Sequence, residues 1–245
     1  MNRTSITGLA CLLAVALTAC AGGGEPPAPS GSPASAPLEA LKEPANSMPV
    51  SPPLSPAPVS AEALAAYRAL LAGEPGALDR PPEGLELHQV TLPPAEELEY
   101  VLLDLDGDGG AELVVQMVAQ PHQFNAVFHY GDGELSCWQY DIMEMSCRDY
   151  PLGDGAMVRQ YDTGTGPNRY SHLYTVFRYL SDGETEECAS LAVHQDTQEG
   201  GTEVFTYLVD DAEVDQDTFA AEFEELVGSR LLSLEDWTPA TERPG

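Results

Sequence analysis

The stretch Tyr100-Val101-Leu102-Leu103-Asp104-Leu105-Asp106-Gly107-Asp108-Gly109-Gly110-Ala111-Glu112-Leu113-Val114-Val115 decides how the folded part of this chain reads. Two apolar runs, Tyr100 to Leu103 and Leu113 to Val118, flank an acidic loop, and such runs bounded by Asp and Gly read as strands. The loop places acids at its first, third and fifth positions, Asp104, Asp106 and Asp108. Ca2+ takes six to eight hard oxygen ligands, and acids at alternate positions of a tight curl point inward to supply them. Gly109 permits the sharp bend, the carbonyl of Gly110 falls at position seven and Glu112 at position nine. A helix-loop-helix sensor would carry a bidentate Glu at position twelve; here that position is Val115, inside a strand. Three carboxylates so close repel one another unless a cation neutralises them. The spacing predicts a structural Ca2+ site made of Asp104, Asp106, Asp108, Gly110 and Glu112, with Mg2+ or a solvated, ion-free hairpin as the alternatives.

Moving outward, the chain continues in hairpins. Val127-Phe128-His129-Tyr130 runs into Gly131-Asp132-Gly133-Glu134, Val176-Phe177-Arg178-Tyr179 into Ser181-Asp182-Gly183-Glu184, and Val204-Phe205-Thr206-Tyr207 into Asp210-Asp211-Ala212-Glu213. Asp-Gly after alternating β-formers marks a tight turn. In each copy the aromatic residues two apart share one sheet face, which leaves His129 on the opposite, solvent-facing side. The starts of the copies are unevenly spaced, so no regular solenoid or propeller follows. Gly153-Asp154-Gly155 marks one more turn. Helices close both ends. Ser60 caps a segment to Ala72 with Leu64, Tyr67 and Leu71 in one stripe, and Asp215 caps a second with Phe219, Phe223, Leu226 and Val227 on one face before Gly228. The expected class is α+β: an antiparallel β-meander with one face covered, flanked by an N-terminal and a C-terminal helix.

The chain has 245 residues and a formal net charge of −30. Residues 61–245 carry 37 acids and 8 bases. This excludes phosphate neutralisation as a binding mode, so nucleic acid is not a partner, and it disfavours electrostatic attachment to anionic lipid. Between Ala21 and Ser60 stand 11 of the 21 prolines, among Ala and Ser. That composition cannot bury a core and reads as a disordered spacer, partly polyproline II.

The amino terminus begins with Arg3, continues with the apolar run Ile6 to Leu17, and reaches Leu17-Thr18-Ala19-Cys20. The run is too short to span a membrane and suits a signal-peptide core. The four residues ending in Cys20 resemble a bacterial lipobox. The resemblance implies cleavage before Cys20, a diacylglycerol on its sulfur, and a membrane-anchored, extracytoplasmic location. The expected organisation is a signal peptide over residues 1–19, a lipidated, Pro/Ala/Ser-rich tether over 20–60, and one globular domain over 61–245. The whole layout is similar to uncharacterised exported lipoproteins of clostridia-like Gram-positive bacteria with a single DxDxDG loop, and the loop itself to integrin-type FG-GAP and EF-hand-like loops. That resemblance implies a location and a calcium ion, and little chemistry.

Three cysteines remain beyond Cys20 in a disulfide-permissive location. Cys137 and Cys147 can face each other across a hairpin centred near Ile142. Cys137 with Cys188, or three thiols, are the alternatives.

No catalytic signature is legible. Asp162-Thr163-Gly164-Thr165 resembles an aspartic-protease tetrad, but a second copy is needed to share the proton, and the sequence holds none. A hairpin loop suits these residues better. The histidines, His88, His122, His129, His172 and His194, do not cluster in sequence, although a fold could gather His172 with Ser171 or an Asp. The composition and motifs favour a binding or interaction module at the cell envelope. Cell-wall polymer, glycan or an envelope protein are the candidate partners, and a flat or grooved aromatic sheet face would serve them. The alternative is an envelope hydrolase whose site only the fold assembles.

Overall fold

A computed structural model describes residues 57–140, 146–166, 168–242 and 244. The expected signal peptide, Cys20, nearly all of the tether and the hairpin centre at Ile142 lie outside these residues.

Helix α1 (Ala61–Leu71) is capped by Ser60, whose Oγ accepts the Ala63 N–H at 3.0 Å. Among the described residues the strands that follow are β1 (Leu98–Leu103), β2 (Glu112–Met117), β3 (Gln120–Gly131), β4 (Glu134–Tyr140), β5 (Cys147–Pro151), β6 (Met157–Gly166), β7 (Arg169–Tyr179), β8 (Thr185–Thr197), β9 (Glu203–Val209), β10 (Ala212–Val214) and β11 (Thr238–Pro239). Helix α2 (Gln216–Leu226) stands between β10 and β11, with Asp215 Oδ1 accepting the Thr218 N–H at 2.8 Å. No helix among the described residues is long and apolar enough to cross a membrane.

The strands form two open antiparallel sheets rather than one meander. The first has the order β11-β1-β2-β3-β4 and the second β10-β9-β8-β7-β6-β5. Three apolar layers hold them. Tyr67 and Leu71 of α1 pack on Leu98, Tyr100, Leu113, Val115, Ala126 and Phe128 of the first sheet. The other face of that sheet, Val101, Leu103, Val114 and Val127, meets Met157, Phe177 and Tyr179 of the second. The far face of the second sheet, Tyr174, Val176, Leu191 and Val193, is covered by Phe219 and Phe223 of α2. Each sheet is therefore apolar on both faces, which explains why β2 reads as a continuous apolar run and not as an alternation. The expectation of a single covered face fails for this reason.

The three aromatic copies end in three different layers. Phe128 lies under α1, Phe177 and Tyr179 lie between the sheets, and Tyr207 lies against α2 while Phe205 is exposed. The recurring pattern is thus hairpin chemistry. The turn between β3 and β4 has Asp132 at φ 53° and Gly133 at φ 83°, the two positive values that a type I′ turn requires.

Cys137 faces α1 from β4, an edge of the first sheet, and Cys147 opens β5, an edge of the second. The two strands belong to different sheets, so the two cysteines are not cross-strand neighbours. No disulfide joins the described cysteines.

The layering predicts unequal costs for two aromatic truncations. Phe219→Ala, at a residue with no exposed surface, should lose about 3–5 kcal/mol of unfolding free energy in urea denaturation. Phe205→Ala, on the exposed part of β9, should change it by roughly 0.5 kcal/mol or less.

Candidate metal centre

The acidic loop connects β1 to β2, whose register pairs Leu103 with Glu112. Its curl is built from its own carboxylates. Asp104 accepts the Gly107 N–H at 2.8 Å through Oδ1 and the Gly109 N–H at 3.1 Å through Oδ2. Asp106 Oδ1 accepts from the Asp108 N–H at 3.0 Å, and Asp108 Oδ1 accepts from the Gly110 N–H at 2.5 Å. These bonds turn all three side chains inward. Asp104, Asp106 and Asp108 each offer one oxygen, all within 4.8 Å of one another. At such separations like charges repel by about 1–4 kcal/mol per pair, depending on how much water intervenes. Asp106 Oδ2 is shut off from solvent and meets no hydrogen-bond partner among the described residues. Burial, together with the neighbouring Asp108 charge, pushes the Asp106 carboxyl above the ordinary range, although the Asp108 N–H bond opposes this. A shielded anionic oxygen in a ring of carboxylates is what a cation would satisfy, and these residues can hold a metal ion.

Glu112 sits deeper than a loop position suggests. It is 1% exposed, and burial raises its pKa. Its Oε2 accepts the Leu105 N–H at 2.7 Å, and its Oε1 lies 3.0 Å from His129 Nδ1. His129 is not solvent-facing, contrary to the alternation argument. Its ring stacks on Trp138 at 4.3 Å and 11°, and Trp138 stacks on Tyr179 of the other sheet. The face opposite Phe128 is the one the second sheet covers, so both faces of β3 are interior here. The hydrogen bond to Glu112 holds the imidazole's pKa above its usual value. Asp106, Glu112 and His129 also bring donor atoms within 4.8 Å of one another. Sequence reasoning missed His129 because its nearness to Glu112 follows from the β2–β3 register, which pairs Leu113 with Phe128.

The loop is fastened to both layers beside it. Leu105 has no exposed surface and lies in the apolar layer between the sheets. Tyr67 of α1 donates to the Ala111 carbonyl at 2.8 Å. The turn between β5 and β6 presses on the loop from the second sheet: a Cβ on Gly155, which has φ +83°, would fall 2.0 Å from the Asp104 carbonyl oxygen. The neighbouring Asp154 receives Arg230 at 2.8 and 2.7 Å and Arg178 at 2.9 Å. Burial alone would raise the Asp154 pKa, but the arginines hold it below the ordinary range. Arg230 also donates to the Leu226 carbonyl at 2.6 Å, at the end of α2. A continuous chain of contacts thus runs from the loop to α2.

The second motif resolves differently from its expected loop. Asp162 lies within β6, is 8% exposed, and pairs across the ladder with His172. Its Oδ1 is 2.7 Å from His172 Nδ1, and Gln160 Nε2 donates to both oxygens at 3.0 and 3.1 Å. Burial works against the Asp162 charge, but these bonds prevail and lower its pKa. Ser171, 1% exposed, bonds His194 Nδ1 at 2.8 Å. Successive residues of a strand point to opposite faces, so the Ser171–His194 pair and the Asp162–His172 pair stand on opposite sides of the second sheet. They do not combine into a Ser-His-Asp relay.

Two outcomes follow. Gly155→Ala forces a Cβ into the Asp104 carbonyl and a non-glycine residue into positive φ, and should destabilise the fold by about 1–3 kcal/mol in urea denaturation. Asp162→Asn should show a pH signature. A carboxyl whose folded pKa is depressed contributes stability that is present above its unfolded value of about 3.9 and is lost as pH falls through the folded value. Wild type should therefore exceed the variant in melting temperature at pH 5 to 7, and the difference should shrink as pH falls through the folded value.

Comparison of the chain with protein-family models, with curated proteins and with solved structures gave no match.

Proposed function

We propose that this chain is an exported lipoprotein, held at the extracytoplasmic face of the cell membrane by a lipid on Cys20, whose folded part is a binding module stabilised by one structural Ca2+. The observation that carries the metal part of this reading is the shielded, unpartnered Asp106 Oδ2 among the Asp104 and Asp108 carboxylates. Ca2+ suits the donors because they are hard oxygens, with the Gly110 carbonyl and Glu112 as the remaining protein ligands. Mg2+ demands a stricter octahedron and usually keeps several waters.

The ion's role would be mechanical. It would cancel the repulsion inside the curl and fix the Asp104 carbonyl, against which Gly155 of the second sheet packs. At free Ca2+ a hundredfold above the dissociation constant, binding adds about 2.7 kcal/mol to the folded state. The module reading draws support from two surfaces. Phe205 is 46% exposed beside Tyr207, and an apolar groove opens beside α1. The hydrolase alternative draws no comparable support, since the buried Ser171 and the Asp162–His172 pair face opposite ways.

The test is thermal unfolding of the chain in EDTA, in millimolar Ca2+ and in millimolar Mg2+. The expected result is a Ca2+-specific rise in melting temperature that disappears in Asp106→Ala/Asp108→Ala. Equal midpoints in all three buffers would overturn the metal reading. For the anchor, a membrane-fraction assay should find the wild-type protein with the membrane and Cys20→Ala released from it.

A further inference from the structure

A groove of about 990 Å³ lies at the C-terminal end of α1, outside the loop and both sheets. One wall is the last turn of the helix, with Leu70. The other is the segment from Leu87 to Glu96, with Leu87, Leu92 and Pro93. Leu87 is 48% exposed, a large apolar side chain held in solvent at the mouth of an apolar surface. The second wall is built to keep its shape without belonging to a sheet. Two single helical turns, Leu87–Gln89 and Ala95–Glu97, bracket it, and a capping box joins Glu86 and Gln89. Tyr140 of β4 grips its middle, donating to the Thr91 carbonyl at 2.7 Å and accepting the Thr91 N–H at 3.2 Å.

Among the described residues that line the groove, those with a formal charge when histidine is neutral are acidic. Glu74 and Glu96, both exposed, stand in its lining, and none of the described lining residues is Lys or Arg. The C-terminus of α1 adds the partial negative charge of a helix end. Among the described residues near the groove, Arg68 and Arg80 are engaged elsewhere: Arg68 Nε donates to the Pro244 carbonyl at 2.6 Å, and Arg80 pairs with Glu134. An apolar trough with an acidic rim on a chain of net charge −30 repels anionic lipid, nucleic acid and a second copy of itself. It complements a cation that carries an apolar face.

We propose that this groove binds a cationic amphipathic peptide, its apolar side chains seated against Leu70, Leu87 and Leu92 and its Lys or Arg residues set against Glu74 and Glu96. An amphipathic segment laid in an apolar groove is a recurring recognition mode, and the volume is at the upper end of that of ligand-binding clefts. The proposal names a partner for the module reading above and is independent of the loop's ion.

The test is fluorescence anisotropy with the full chain and a labelled peptide of Leu and Lys in an amphipathic helical pattern. Two control peptides replace every Leu by Ser or every Lys by Glu. Leu87→Ser and the double variant Glu74→Lys/Glu96→Lys change exposed side chains, and their melting temperatures verify folding. The expected result is saturable binding of the Leu/Lys peptide, weakened about tenfold or more by each variant, with both control peptides at least about tenfold weaker. Equal binding of the Ser/Lys peptide would reduce the effect to diffuse charge and overturn the proposal. So would equal binding of the Leu/Glu peptide, or affinities unchanged in both variants. A concentration-dependent dimer of the wild type that Leu87→Ser dissociates would assign the groove to a second copy and also overturn it. The same titration in EDTA separates the two readings: binding that survives there beside an absent Ca2+ response in melting leaves this proposal standing while the metal reading falls.

Discussion

Everything in this fold depends on the apolar layer that the two sheets share. Val101, Leu103, Val114 and Val127 on one side and Met157, Phe177 and Tyr179 on the other have little or no exposed surface, and no helix could replace either partner without leaving a strand face bare. Burial of this kind is non-directional; polar contacts at its margin fix the register. Asp149 of β5, fully enclosed, takes a two-point contact from Arg159 at 2.8 and 2.8 Å and a further bond from Gln139 of the opposite sheet. Asn125 of β3 donates to the Asp149 carbonyl at 2.6 Å. Removing one member of such a network leaves a buried charge or dipole exposed to apolar surroundings, whereas the intact set defines one sheet-to-sheet alignment.

The acidic loop sits at the edge of that shared layer, and its position explains its design. Leu105 drives into the layer while the aspartates on either side of it turn toward one another. The same eight residues therefore serve as an apolar plug and as a ring of oxygens. A loop of this charge placed on an exposed hairpin would relax outward into water. Here Tyr67 on one flank and Gly155 on the other confine it, so the repulsion is retained in the folded state and favours cation binding. His129 and Glu112 extend the polar cluster inward, stacked against Trp138 and thence against Tyr179. These few side chains connect the loop to both sheets.

Several features were legible in the sequence because each is decided within a few residues. Ser60 and Asp215 at the helix starts, the Asp132-Gly133 turn, the strands on either side of Asp104 to Ala111, and the alternation of acids in the loop all follow from local backbone preference or side-chain spacing. The strongly acidic balance, and the functions it disfavours, also require no tertiary knowledge. The number of sheets was a different matter. An apolar run such as Leu113 to Val115 is compatible with one covered face or two, and only the arrival of a second sheet distinguishes them. Cys137 and Cys147 look like hairpin neighbours for the same reason, since the crossing of the chain from one sheet to the other leaves no local mark.

The constellations that carry chemistry were the least legible. His129 beside Glu112, His172 beside Asp162 and Ser171 beside His194 are all cross-strand pairs or near neighbours, fixed by register. Register depends on which faces find apolar partners, a long-range property that slides with a one-residue shift. The groove beside α1 likewise arises where a helix end and a later irregular segment meet over the first sheet. By itself the sequence determined the caps, the turns, the acidic curl and the sign of the charge, because these are settled by near neighbours. The tertiary structure alone decided the two-sheet layering, the depth of Glu112 and His129, and which polar groups share a face, because only packing brings together residues far apart in the chain.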